Sequence, residues 1–356
     1  MACPVLRLKF RSVVRSMVSM RGVSLRPAGA ACARDKDTRM RTAIGVDLGG
    51  SHTAAGVLTE DGTIHAQHEL DLDDLSFDSV VDAVVQVVGL ALADAGPNVS
   101  AIGVGSPGNV QAQTGTILYS PNFGWKDAPL GKALRKKFKQ PLYVANDARC
   151  ATLGEYTFGC GRGTKNFVLL TLGTGIGGGI VGEGELLLGS SFGAGEVGHH
   201  QIRADSGFTC TCGKIGCFEV QASGTGLIRH AFALEPSFPR SSLLDSARDA
   251  LSSKRIRKAA QAGDPHALAA WKNFVSDLSI GLANVIAFVN PELIALGGGV
   301  SSAGAFMVDA VRPEVDRLTT MVPKGTTRIE IAKLGNDAGQ VGAGIMALRG
   351  GLTTHG

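Results

Sequence analysis

Three cysteines fall within eight residues, Cys210, Cys212 and Cys217, just downstream of the pair His199 and His200. One imidazole and three thiolates make the closed, four-coordinate donor set that structural zinc prefers, and Gly213 and Gly216 let the backbone turn tightly around an ion. A disulfide among the three thiols, or chance clustering, is the competing reading. Glu196 and Glu219 bracket the cluster. A soft site filled by thiolates has little use for carboxylates, so both glutamates stay free for another ligand.

A second kind of chemistry is written in glycine. The apolar run 42–47 ends in Asp47 and is followed by Gly49, Gly50, Ser51, His52 and Thr53 before a second apolar run, 54–58. Small residues in such a strand–turn–strand let backbone N–H groups and the Ser51 and Thr53 hydroxyls approach a phosphate, and Asp47 is placed to hold Mg²⁺ directly or through water. An ordinary hairpin is the bland alternative. The pattern returns after run 167–172 as Gly173, Thr174 and Gly175, with glycine continuing to Gly179 and a strand expected at 180–181. Two such turns imply a duplicated core with a phosphate cradle in each half. A third glycine cluster, Gly297, Gly298 and Gly299, closes the expected strand 291–296, where a flat adenine or ribose can pack.

Asp147 stands between an expected strand, 142–145, and an expected helix, 148–158. There it is either a helix N-cap or a carboxylate presented to a cleft, able to take a proton from a substrate hydroxyl. Gly108 belongs to a loop at the end of strand 101–105. Asn122 lies in the polar and aromatic loop 120–125, where its amide offers both donor and acceptor to a hydroxylated ligand or else caps a turn.

The elements that must position these residues follow from periodicity and punctuation. Helical spacing marks 77–95, 130–137, 223–232 with a helical region to about 262, 265–289 and a closing helix 340–348; strands are expected at 64–70 and 329–331. The result is an α/β chain, and 356 residues suffice for two domains. Residues 1–41 carry ten Arg or Lys against Asp35 and Asp37, so this segment holds +8 while the remainder holds about −4 of the net +4. A basic nucleic-acid footprint on the folded part is therefore not expected. The leader has the composition of an organellar transit peptide, but the compact start at Met40 favours a disordered or misassigned extension. No uninterrupted run of 18 apolar residues suggests a membrane span. Cys3, Cys32, Cys150 and Cys160 show no pairing pattern, which suits a reducing compartment.

In order, the motifs Asp47-Leu-Gly-Gly-Ser, Asn146-Asp147, Leu172-Gly-Thr-Gly, Glu196-Val-Gly-His, Cys210-Thr-Cys-Gly-Lys-Ile-Gly-Cys-Phe-Glu and Gly297-Gly-Gly-Val resemble the ROK family (repressor, open reading frame, kinase) of the actin-like sugar-kinase superfamily, over about residues 42–350. The resemblance implies an actin-like ATPase fold of two α/β domains with ribonuclease-H-like cores around a central cleft. The domains would be 42–146 and 147–337, with helix 338–350 packing back on the first. It implies Asp147 as general base, and Asn122, Asn146, Glu196, His199 and Glu219, with Gly108, around a sugar. His199 would also join Cys210, Cys212 and Cys217 on a structural zinc, leaving His200 as a neighbour. ATP and Mg²⁺ would lie on the glycine turns. The implied protein is a cytoplasmic, homodimeric hexose kinase, glucose being phosphorylated at its 6-hydroxyl. N-acetylmannosamine, fructose or mannose kinases share the scaffold, polyphosphate is an alternative donor, and a non-catalytic sugar-responsive regulator is the rival of another class. This sequence departs from the pattern at His52, where many members carry Lys, and shows no helix-turn-helix ahead of the core.

Overall fold

The structure is a computed structural model describing residues 41–244 and 251–352; the leader before Arg41, with Cys3 and Cys32, lies outside the described residues. Its frame is two five-stranded sheets built to one plan. In the first, the spatial order is Ile64–Asp71, His52–Thr59, Thr42–Leu48, Val99–Ser106, Leu142–Asn146. In the second it is Glu185–Leu186, Ile176–Gly182, Phe167–Leu172, Leu293–Gly297, Arg328–Ile331. Each begins with antiparallel neighbours and continues in parallel, so both read 3-2-1-4-5 by order along the chain. The duplication inferred from the two glycine turns is present in the sheet topology itself.

The parallel strands are apolar throughout: Ile44, Val46, Leu48, Ile102, Ile294 and Leu296 are fully buried, because helices cover both faces of such strands. Helix Phe77–Ala95 covers the first sheet with Val80, Val84, Val87 and Val88. The long helix Pro265–Val289 fills the second core with Phe274, Leu278 and Leu282. By length and composition these two helices (Phe77–Asn98 and Pro265–Val289) would suffice to cross a membrane; here their apolar faces lie on the two sheets.

Two helices join the halves. Asp147–Thr157, the Asp147 helix, and Ala338–Arg349, the closing helix, cross where neither can carry side chains: a Cβ on Gly342 would lie 1.6 Å from the Cys150 carbonyl oxygen, and one on Gly154 2.5 Å from that of Ala338. The closing helix also lies on the first sheet, where Gly45 and Gly103 leave no room above the backbone of Gln340 and Ala343.

Three elements differ from expectation. A small antiparallel sheet, Asn109–Gln111, Thr116–Ser120 and Trp125–Ala128, occupies a stretch where no strand was expected, its strands being too short for alternation to show, and the Asn122 loop is its turn at 121–124. Helix Ala305–Leu318 was not expected; Pro313 lies inside it and breaks the pattern. The strand after the second glycine turn starts at Ile176, not 180, because Gly177, Gly178 and Gly179 are strand residues. They are glycine for lack of space: a Cβ on Gly179 would sit 2.2 Å from the Thr152 hydroxyl.

Candidate active site

Strand Leu142–Asn146 ends in the first sheet and turns at once into the Asp147 helix, whose N-cap is Asn146: its Oδ1 accepts from the Arg149 N–H at 3.1 Å. The capping role weighed for Asp147 thus belongs to its neighbour. The Asn146 amide donates to the Gly108 carbonyl (3.0 Å) and to Asp147 Oδ1 (2.8 Å), so both its hydrogens are engaged. Oδ1 of Asp147 also accepts from the Ala148 N–H at 2.8 Å. Among the described residues both donors to the carboxylate, Asn146 and Ala148, fall on Oδ1, and Asp147 lines the cleft. Burial pushes the Asp147 carboxyl above its ordinary value; the Ala148 N–H works against this, the nearby Glu196 adds to it, and Arg149 offsets part.

Two cavities meet at Asp147. One, of about 750 Å³, is lined by Gly108, Asn122, Asn146, Glu196, His199, Glu219 and the turn Gly173, Thr174 and Gly175. The other, of about 640 Å³, is lined by Asp47, His52, Gly297, Gly298 and Gly339. Asp147, Thr171 and Gly298 face both.

On the first side, Glu196 Oε1 accepts from Arg149 Nη2 at 3.2 Å, and the buried guanidinium also donates to the Ala194 carbonyl through Nε (3.1 Å) and Nη2 (2.9 Å). Arg149 escaped sequence reading; its only signal was a cation one turn into a buried helix. Glu219 opens the short helix Phe218–Ala222, and its Oε2 accepts from the Ile176 N–H at 3.0 Å. A Cβ on Gly175 would fall 2.3 Å from that oxygen, so this carboxylate rests on the second glycine turn.

The one-atom donors of His199, Cys210, Cys212 and Cys217 all lie within 4.8 Å of one another. His199 Nδ1 is 3.8 Å from Cys210 Sγ, and Cys212 Sγ is 3.6 Å from Cys217 Sγ. Zinc bonds of about 2.0–2.3 Å in tetrahedral array put neighbouring donors about 3.5–3.8 Å apart, so these residues fit the ion. The three thiols are free, not bridged. With Nδ1 turned to the sulfurs, Nε2 of His199 is left for a ligand. His200 turns away: Nδ1 meets the Val197 carbonyl at 2.5 Å and the ring packs on Phe218.

On the second side, the first turn is closed by the Gly49 N–H donating to the His52 carbonyl at 2.9 Å. Gly50, Ser51 and His52 are exposed at its tip. Thr53, expected to reach phosphate, does not: it is fully buried and its hydroxyl turns to the Asp47 carbonyl, 3.5 Å away. Its place in the strand, paired with Leu48, directs the side chain inward. Asp47 holds its carboxylate over the first turn of the closing helix, where a Cβ on Gly339 would lie 2.8 Å from it. Burial pushes its pKa up to about 6, the Asp147 charge adds, and His52 offsets part. An anion with so little solvation suits a divalent cation. Of the third glycine cluster, Gly298 has the firmest requirement: φ is +77°, and a Cβ would lie 2.7 Å from the Leu172 carbonyl oxygen. Gly297 ends its strand and Gly299 opens a helical turn.

A family model described as ROK family matches residues 43–349. The chain belongs to the ROK family. Relatives with this architecture include a glucokinase of Streptomyces coelicolor, 35% identical over 86% of this chain and 98% of its own. The crystal structure of a ROK family glucokinase from Streptomyces griseus, in complex with glucose and AMPPNP, superimposes with a TM-score of 0.76 at 34% identity, covering 86% of this chain and 99% of that one. A ROK family transcriptional regulator, a homologue of the E. coli MLC protein, gives 0.77 at 26% identity, covering 86% of this chain and 77% of its own. The ROK scaffold thus carries both roles, and the site must separate them.

Proposed function

We propose that this ATP-dependent sugar kinase phosphorylates a hexose, glucose foremost, at its 6-hydroxyl, with Asp147 as general base. The observation that carries the reading is Asp147, its Oδ2 free of the donors that hold Oδ1, at the meeting point of a cavity lined by Asn122, Glu196, His199, Glu219 and the Gly173–Thr174–Gly175 turn and one lined by Asp47, Gly297 and Gly298. Asn122, Glu196, Glu219 and His199 Nε2 hydrogen-bond the sugar, while Asn146 fixes the rotamer of Asp147. The Gly49–Gly50–Ser51 turn and the Gly173–Thr174–Gly175 turn hold the phosphates through backbone N–H groups, and Gly297–Gly298–Gly299 packs on the adenosine. Asp47 would hold Mg²⁺, which neutralises charge on the phosphate oxygens. The sugar hydroxyl gives its proton to Asp147 Oδ2 as its oxygen bonds to the terminal phosphorus of ATP, and ADP leaves with the bridging oxygen. Little more is required of the protein, since phosphoryl transfer is governed by positioning and charge stabilisation. Zinc on His199, Cys210, Cys212 and Cys217 would be structural, four protein ligands leaving no open position.

A sensor needs no carboxylate aimed at a hydroxyl, which favours the kinase over the regulator. The test is coupled ADP release over glucose, mannose, fructose and N-acetylmannosamine. The highest kcat/KM is expected for glucose. A higher value for N-acetylmannosamine overturns the choice of sugar, and sugar binding with no ADP release overturns the kinase reading.

A further inference from the structure

Two of the segments presenting sugar-side residues, the cysteine loop and the Glu219 helix, converge on one carboxylate outside the cleft. Asp277 lies midway along the long helix Pro265–Val289 with its side chain 3% exposed. Its Oδ1 accepts from Arg203 Nε and Nη2, both at 2.8 Å. Its Oδ2 accepts from Gln221 Nε2 at 3.3 Å and faces His230 Nε2 at 3.2 Å. Gln221 passes the connection on, its Oε1 accepting from the Phe208 N–H at 2.9 Å and its carbonyl lying 3.1 Å from His230 Nε2. Arg203 and Phe208 belong to the loop between His199 and Cys210, Gln221 to the helix that carries Glu219, and His230 to the next helix, Gly224–Leu234.

We propose that Asp277 is a positioning residue for sugar recognition, fastening the cysteine loop and the Glu219 helix to the long helix independently of the metal; the proposal rests on the sugar-kinase reading of the cleft. Glu219 lies two residues after Cys217 and two before Gln221, so one neighbour belongs to the metal cluster and the other to Asp277. His199 is a donor of the cluster, and Arg203 follows four residues later. Zinc alone ties the loop to itself and to His199. Asp277 ties it to the core of the second half, and with it the placement of the Glu219 carboxylate against Gly175. A carboxylate this buried, surrounded by four donors, is a satisfied network that rigidifies what it joins, and removing one partner leaves the others uncompensated.

The test uses the zinc-loaded enzyme with Asp277→Asn, Arg203→Gln and the double variant, comparing KM for glucose, KM for ATP, kcat, bound zinc per chain and melting temperature. The expected result is a rise of about tenfold or more in glucose KM, an ATP KM within twofold of wild type, zinc retained at one per chain, and a double variant no worse than the more impaired single one. Arg203 has a side chain 40% exposed against 3% for Asp277, so Arg203→Gln decides alone if Asp277→Asn fails to fold. Unchanged glucose KM in a folded variant overturns the proposal. So does a lower melting temperature or active fraction with both KM values unchanged, which is the signature of a merely structural residue. A wild-type enzyme inactive on every sugar overturns the kinase reading instead; glucose affinity by calorimetry then decides for Asp277, weaker binding in the variants supporting it and equal or absent binding overturning it.

Discussion

Asp47→Asn should stabilise the magnesium- and nucleotide-free protein at neutral pH while destroying its activity. The carboxyl of Asp47 is held at about 6 against an ordinary 3.8, by burial first and by the charge of Asp147 second. The folded state therefore keeps a proton that the unfolded chain has already released. Between about pH 4 and 6 folding takes up a proton, so stability falls as pH rises through that window and stays low above it. Roughly two pKa units at about 1.4 kcal/mol each give a cost of about 3 kcal/mol at pH 7.5. An amide of the same shape carries no such cost at any pH. Urea unfolding of both proteins should show a gap near zero at about pH 3, about 1 kcal/mol at about pH 4.5 and about 3 kcal/mol by about pH 7.5, or about 5 °C in melting temperature. A gap independent of pH, or a variant less stable than wild type at pH 7.5, would refute the account of Asp47 as a desolvated anion awaiting a cation. Turnover of the variant within tenfold of wild type would remove it from the magnesium site.

Asp147→Asn should leave glucose affinity intact while lowering kcat by about 10²–10⁴-fold; near-wild-type turnover rules out the base. In the wild type, kcat/KM should fall as pH drops through a value above the ordinary carboxylate range, since burial raises the Asp147 pKa and the base works only when ionised. Arg149→Met should move that acid limb to still higher pH by removing the guanidinium that favours the ionised form, and raise glucose KM because Glu196 loses its partner; an unmoved limb counts against the coupling. Cys212→Ser should lose zinc, measured by elemental analysis, and weaken glucose binding about tenfold or more; a full zinc complement would refute the ligand set.

Much of the site was legible because its residues occupy local motifs. Cysteine spacing pointed to a metal, and the two glycine turns to a doubled core, which the matching 3-2-1-4-5 sheets display. What stayed hidden depends on three-dimensional neighbours. Thr53 reads as a phosphate hydroxyl until strand pairing turns it inward. Asp147 reads as a helix cap until the folded chain gives that role to Asn146. Gly177–Gly179 read as a flexible turn, whereas crowding by Thr152, Ala148 and Thr171 makes them strand. Arg149 and Asp277 act through partners 47 and 74 residues away, at separations no local pattern reports.

The crossing of the Asp147 and closing helices bears on where this enzyme can change without losing its chemistry. Each helix begins at one of the two cleft carboxylates, Asp147 in one and Gly339 beneath Asp47 in the other, while the backbone contact at Cys150, Gly154 and Gly342 lies one to two turns farther along. At 1.5 Å per residue the lever arm from that contact to Asp147 is about 5–10 Å, so a swing of about 10° displaces the base by only about 1–2 Å. A swing about that contact would therefore leave Asp147 and Asp47 in nearly constant register, while parts of the cleft farther from it would move more.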